Sequence, residues 1–335
     1  MIVDLFKNYK NKIMMDDKKK RCGRELVSTI GDNSENVECS KINLGKVGVN
    51  KEESSHIKLT KGKEYIVNIS SDVIDIDVKS TEGKEIKAYI ENIEKLKNKD
   101  DFKLKLSDNN GIISVILKSE KSSGVVSNFS IVRNENKISV GNGNIVIQNG
   151  RVNNCDIIQS SNIAKLVVLL PSNVKYSDLT ITSIVGNVDI ENISVKNDIE
   201  VSSTSGEICL KDAKSKNIDV KSTSGDILMR ILECEYASVS SSSGDVEISS
   251  SRIEYLNGKT MSGDIKVYKD FGKEIKLNTM SGDIDTESVE CENVDLSTMS
   301  GDICLNNKAR LNYEIKRLKV NTMSGDKNVI ANYVY

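Results

Sequence analysis

The chain has no tryptophan, one proline, one histidine and four phenylalanines among 335 residues. Each shortage closes off a class of activity. Gripping a sugar in a β-helix groove needs broad aromatic faces, so an aromatic content of 4% argues against a carbohydrate-cleaving cleft. The single imidazole, His56, cannot build a multi-histidine metal site, and any Ser-His-Asp triad would have to use it alone. It reads as a surface or partly packed side chain. No Walker-type or dinucleotide-binding glycine loop occurs, and Gly141-Asn142-Gly143-Asn144 reads as a turn before a strand. There is no run of about 18 apolar residues, hence no integral membrane segment to propose. A net charge of −2 offers nothing to attract nucleic acid or an anionic membrane.

What is there is an ordinary balance for a chain with a sizeable core, 38% hydrophobic and 29% charged. Distributed through it is a repeat. Seven glycines, Gly206, Gly225, Gly244, Gly263, Gly282, Gly301 and Gly325, close short β-type runs on Ser-Gly-Asp or Ser-Gly-Glu. Five consecutive steps are 19 residues and the last is 24, while Gly186 is a degenerate copy 20 residues before the first. A fixed period this short means stacked, nearly identical coils.

Apolar residues alternate on both arms around each glycine. Seven and five places before it stand Ile199 and Val201, Ile218 and Val220, Ile275 and Leu277; two and four places after it stand Ile208 and Leu210, Ile227 and Met229, Ile265 and Val267. A period of two is the strand signal. Nineteen residues hold two or three short strands with tight corners, not a strand-helix-strand unit. The fold class expected is all-β: a parallel β-solenoid, right-handed by the usual chirality of parallel crossovers, with coils of about 19 residues and a β-rich N-terminal region. Glycine at the corner answers either a positive φ or crowding that forbids a Cβ.

Three zones follow: a polar tail over 1–50 that carries Lys18-Lys19-Lys20-Arg21, a β-rich region of irregular coils or a cap over 51–160, and the regular array over 161–335. The charged stretch 91–105 has room for one short helix. Met1–Lys20 is too charged for a signal peptide. Among the seven cysteines, Cys209 and Cys304 share a column five coils apart, and Cys234 and Cys291 share another three coils apart. Three coils at strand spacing come to roughly 14 Å, too far for a disulfide. Free thiols and a cytoplasmic location are expected, with the cell envelope or surface as the alternative.

The outward columns hold the candidate chemistry. Glu207, Asp226, Asp245, Asp264, Asp283, Asp302 and Asp326 form an acidic ladder. A retaining glycosidase also uses carboxylates about 5 Å apart, but here every coil carries the same residue and no pair stands alone. Unit charges at strand spacing repel by only about 0.9 kcal/mol in water, so the ladder reads as turn chemistry with no bound calcium. A Ser/Thr column runs beside it from Ser203 to Thr322. Between them stand Thr204, Thr223 and Ser242, then Met261, Met280, Met299 and Met323. Those methionines read first as corner packing. Pointing outward, they would make an interaction stripe for an adaptable partner. At Lys327 the last copy departs from the apolar residue found two places after earlier glycines, which reads as protection against end-to-end stacking.

The iterated units, such as Thr279-Met280-Ser281-Gly282-Asp283-Ile284, with Leu169-Leu170-Pro171 and the Gly186 and Gly206 coils before them, resemble the bacterial "putative adhesin" family of β-strand-repeat proteins over roughly residues 60–335. The resemblance implies a β-solenoid whose biochemical role is undefined and whose members include membrane-anchored envelope proteins. It supplies no catalytic, cofactor-binding or metal-binding residues. The function expected is a non-enzymatic scaffold or interaction protein that binds a protein or cell-envelope component through one face. A surface adhesin is the first alternative and a carbohydrate-active β-helix enzyme the second.

Overall fold

The computed structural model describes residues 55–96, 102–119, 164–308 and 312–333, together with the backbone of four short strands, Val132–Asn134, Lys137–Ser139, Val146–Gln148 and Arg151–Asn153. The zone 1–50 with its basic cluster, Cys22, Cys39, Cys155 and the turn at 141–144 lie outside the described residues. The regular elements described are all strands except one 3-10 turn at Ile93–Lys95, the one helical turn among the described residues of the charged stretch 91–105.

Successive repeats lie in parallel, residue above equivalent residue. Ile199 pairs with Ile218 and Val201 with Val220 on one arm. Ile208 pairs with Ile227, Val246 with Ile265, and Ile265 with Ile284 on the next. The offset in each of these pairs is 19 residues. It is 20 where Val188 meets Ile208 and 24 where Ile303 meets Lys327, so the two irregular steps are absorbed without loss of register. Lys327 therefore takes an apolar column's place, but it is exposed.

Each regular coil has three arms. The first runs from eight residues before the glycine up to it, and the second occupies the next few residues after it. The third holds alternate inward side chains seven and nine places on, as at Ile193 and Val195 or Leu232 and Cys234, which are buried like Ile199, Ile208, Leu210 and their successors. All three arms face one continuous core. A side chain such as Ile265, fully buried, contributes about 2–3 kcal/mol through burial alone.

The second corner has no glycine. Six residues after each of six glycines, Asn192, Asp212, Ile231, Ser250, Lys269 and Ser288 adopt φ between 51° and 60°. Asn and Asp tolerate this left-handed region, whereas a β-branched residue is strained there. Ile231, at φ 57°, bears that strain in the stack's middle.

The array is founded on a coil drawn from far earlier in the chain. Glu64–Ser71 lies parallel beneath Lys175–Val185, with Val67 under Leu179 and Ile69 under Ile181. Asp75–Thr81 lies beneath Val188–Ser194, with Ile76 under Val188. Ile112–Ser119 pairs in parallel with Glu64–Ser71, and Phe102–Asn109 then pairs antiparallel with Ile112–Ser119. Lys165–Pro171 joins Asp75–Thr81 in parallel to Glu85–Glu91 in antiparallel, and Glu85–Glu91 holds Ser55–Lys58. The described part of the N-terminal region is thus both an opening coil and an antiparallel cover.

Replacing Ile231 by Asn relieves the left-handed strain at the second corner. The variant is expected to be more stable by about 1 kcal/mol, read as a raised midpoint in urea at unchanged slope. A lowered midpoint would show that packing of the Ile231 side chain outweighs its backbone.

Candidate functional site

The glycine corner is where the repeat concentrates its chemistry, and its geometry starts with backbone contact. A Cβ built on Gly244 would lie 2.1 Å from the carbonyl oxygen of Gly225; on Gly263, 2.1 Å from that of Gly244; on Gly282 and Gly301, 2.0 Å from that of the glycine below. None of these four has a φ in the left-handed region, which occurs in this column only at Gly186, Gly206 and Gly325. Of the two reasons for glycine, crowding is the general one.

Hydroxyls stitch the crowded backbones together. Three places before each glycine, the amide of Gly244 donates to Ser241 Oγ at 2.9 Å and that of Gly263 to Thr260 Oγ1 at 3.0 Å. The same hydroxyls donate to the glycine carbonyl of the coil below, Ser241 to Gly225 and Thr260 to Gly244, both at 3.4 Å. Thr279, Thr298 and Thr322 do likewise at 3.1, 3.1 and 2.9 Å. Most of these side chains are buried, so the bonds satisfy polar groups cut off from water.

The acidic ladder forms a second seam. Asp226 Oδ1 accepts the amide of Asp245 at 2.9 Å, and the pattern continues through Asp264, Asp283 and Asp302 to the amide of Asp326, at 2.8–2.9 Å. Asn187 makes the same bond to the amide of Glu207 at 2.9 Å, and Asp75 to that of Asn187 at 2.7 Å. Each acceptor thus reaches the next coil up, not its own turn, so the ladder is a set of inter-coil hydrogen bonds. One oxygen per residue is enough, since an amide side chain serves as well.

The methionines point outward. Met261, Met280 and Met299 are about half exposed (53%, 47% and 48%) and Met323 is 81% exposed. Corner packing, the reading the sequence favoured, fails because the inner corner is already filled by touching glycine backbones and buried hydroxyls. Their main chains are stacked: Ser281 N donates to Met261 O and Ser300 N to Met280 O, each at 3.0 Å. The same column begins with exposed Ile184 and passes through Thr204, Thr223 and Ser242.

One buried carboxylate has no counterpart in its column. Asp270 occupies the inward third-arm position held elsewhere by Ile193, Ala213, Leu232, Ser251 or Val289, and it is 2% exposed. Oδ1 accepts the amide of Ser251 at 2.9 Å and Oδ2 has no partner. Burial pushes its carboxyl from an ordinary 3.8 up to about 8. Burial, with Asp270 adding to it, also pushes the Cys234 thiol up to about 12 and the Cys291 thiol in the same direction. Such thiols stay protonated and unreactive at neutral pH. Cys209, Cys234, Cys291 and Cys304 are all unpaired. His56 is exposed on Ser55–Lys58. Sequence inspection passed over Asp270; its signal was a carboxylate in an otherwise small or apolar column.

A stack of three-armed β coils riveted at a glycine corner defines an all-β repeat protein, with its variable chemistry on the outer columns. The chain matches the Toastrack DUF4097 family over residues 64–270 and again over 257–333, and it belongs to that family. Among solved structures it is similar to a "putative adhesin" from Bacteroides fragilis, at 15% identity, covering 84% of this chain and 98% of that one with a TM-score of 0.43. It is also similar to a "putative lipid binding protein" from Parabacteroides distasonis, at 17% identity, covering 86% and 98% with a TM-score of 0.44. At those scores neither likeness bears on what this chain binds. No curated protein matches it. Among the described residues no helix is long and apolar enough to cross a membrane, and no group of three or more His, Cys, Asp or Glu is placed to hold a metal ion.

Two expectations follow. Asp264→Ala removes one inter-coil bond and should cost about 1 kcal/mol, whereas Asp264→Asn keeps the acceptor, as Asn187 does, and should melt close to wild type. Equal losses in both would mean that charge, not the hydrogen bond, matters. For Asp270 the folded pKa lies above the unfolded one, so the folded state holds the proton more tightly. This group's contribution is greatest below about pH 4 and is lost as the pH rises through about 8. Asp270→Asn should raise the melting temperature at pH 8 and flatten its fall between pH 4 and 8; parallel curves for the two proteins would contradict the assignment.

Proposed function

We propose that this protein is a non-enzymatic scaffold, a right-handed β-solenoid of 19-residue coils, that binds a protein or cell-envelope component through the corner bearing Met261, Met280, Met299 and Met323. The observation that carries this reading is the four exposed methionines in consecutive coils of one column. The coils beneath place Thr204, Thr223 and Ser242 there over the same glycine corner, so folding does not require methionine. An unbranched, polarizable side chain suits a surface that must adapt to its partner, and contiguous exposed apolar groups mark interaction sites. The ladder carboxylates each give one oxygen to an inter-coil bond, which accounts for the column without catalysis. The unpaired thiols fit a reducing compartment, which favours the cytoplasm; protease shaving of intact cells should spare the protein.

A photo-crosslinking residue placed at Met280 in cells that make the protein should yield a discrete adduct. The same residue at Ser238, exposed on an arm, should not. Adducts of equal yield at both positions, or none at Met280, would overturn the assignment of this corner.

A further inference from the structure

We propose that the methionine column is also a binding site for a soft monovalent metal cation, Cu(I) by chemical class, held between thioethers of adjacent coils. This goes beyond the docking role: it concerns sulfur and not apolar surface.

Thioether sulfur is a soft ligand that favours Cu(I) over the hard cations bound by carboxylates and carbonyls. A lone exposed methionine holds such an ion weakly; what makes a site is a second sulfur at the right separation. The hydrogen bonds Ser281 N to Met261 O and Ser300 N to Met280 O lock the methionine backbones of adjacent coils one above the other, at the strand separation of roughly 4.8 Å. Metal–sulfur bonds are about 2.3 Å long, so two of them in line span about 4.6 Å. Adjacent thioethers, each carried on three rotatable bonds, can therefore bracket a cation without any change in the backbone.

Two further observations bear on the site. The four side chains are 47–81% exposed, so an ion reaches them from solvent. Three residues along, Asp264, Asp283, Asp302 and Asp326 form a parallel row of carboxylates. In the first three of these, Oδ1 holds the amide of the next coil, and the row lends the corner a field that attracts cations. The Thr and Ser residues at the same position in lower coils show that the corner folds without sulfur, so the run of four thioethers is a feature added to the fold.

The test uses Ag(I), a redox-stable probe of the same charge and softness, added stepwise to the full chain carrying methyl-13C methionine. Reading the methionine methyls directly separates this site from the half-exposed thiols of Cys209 and Cys304, which take Ag(I) on their own. The methyl signals of Met261, Met280, Met299 and Met323 should shift together, at least tenfold tighter than free N-acetylmethionine under the same conditions. In Met280→Leu/Met299→Leu the remaining two sulfurs are three coils apart, too far to share an ion, and their response should weaken at least tenfold. Ladder affinity equal to that of N-acetylmethionine, or a double variant that responds like wild type, would overturn the proposal. Leucine keeps the corner apolar and close in size, so loss of Ag(I) binding in this variant, while a photo-crosslinking residue placed at Met261 of the same variant still yields the adduct, separates this site from the docking role.

Discussion

The contact on which the rest of the structure depends is the close approach of glycine backbones in successive coils. With carbonyl oxygens seated about 2 Å from where a Cβ would stand, the coils draw together at one corner along the whole array. Neighbouring groups then have fixed partners. The hydroxyl three places earlier reaches both its own glycine amide and the carbonyl below, and the carboxylate one place later reaches the amide above. From the Gly244 coil onward these hydroxyl-to-carbonyl and carboxylate-to-amide bonds recur in register, while apolar columns hold the three arms.

That economy explains where variation is tolerated. Inward positions are nearly invariant in character because each apolar side chain covers another directly above it. Outward positions are free, and the chain uses that freedom at the methionine column and in the ion pairs that dot the arms, such as Lys273 with Glu254 and Lys214 with Glu233. Among the inward polar residues, which include Ser251 and Thr286, Asp270 places an unpaired carboxyl oxygen in the core. Burying a polar group without a full set of partners is costly, so Asp270 lowers the stability of its layer relative to an apolar residue there.

Much of this was legible in the sequence because a period-two pattern and a fixed glycine spacing each constrain geometry strongly. The columns of Ile208, Ile227 and Ile265 or of Val201 and Val220 were placed inward, and they are. Three things were not legible. The second corner changes residue type from coil to coil, Asn192 and Asp212 giving way to Ile231 and Lys269, so no fixed turn residue marks it. The sequence left irregular coils or a cap open over 51–160, because the founding coil at 64–81 pairs with strands about a hundred residues away, and sequence period reports only neighbours in the chain. The methionines were turned the wrong way because a corner residue belongs to neither arm's alternation, and only the occupancy of the inner corner by Ser241, Thr260 and their kin decides the matter.

The most direct test of glycine contact as the organising constraint compares two alanine substitutions. At Gly263 a methyl would meet the Gly244 carbonyl at 2.1 Å, rigid backbone on both sides, while at Gly258 it would meet the end of the Leu277 side chain at 2.8 Å, which can rotate away. Measured by urea unfolding, Gly263→Ala should lose about 3 kcal/mol or more and Gly258→Ala far less. A Gly263→Ala protein as stable as wild type, or less affected than Gly258→Ala, would contradict the account.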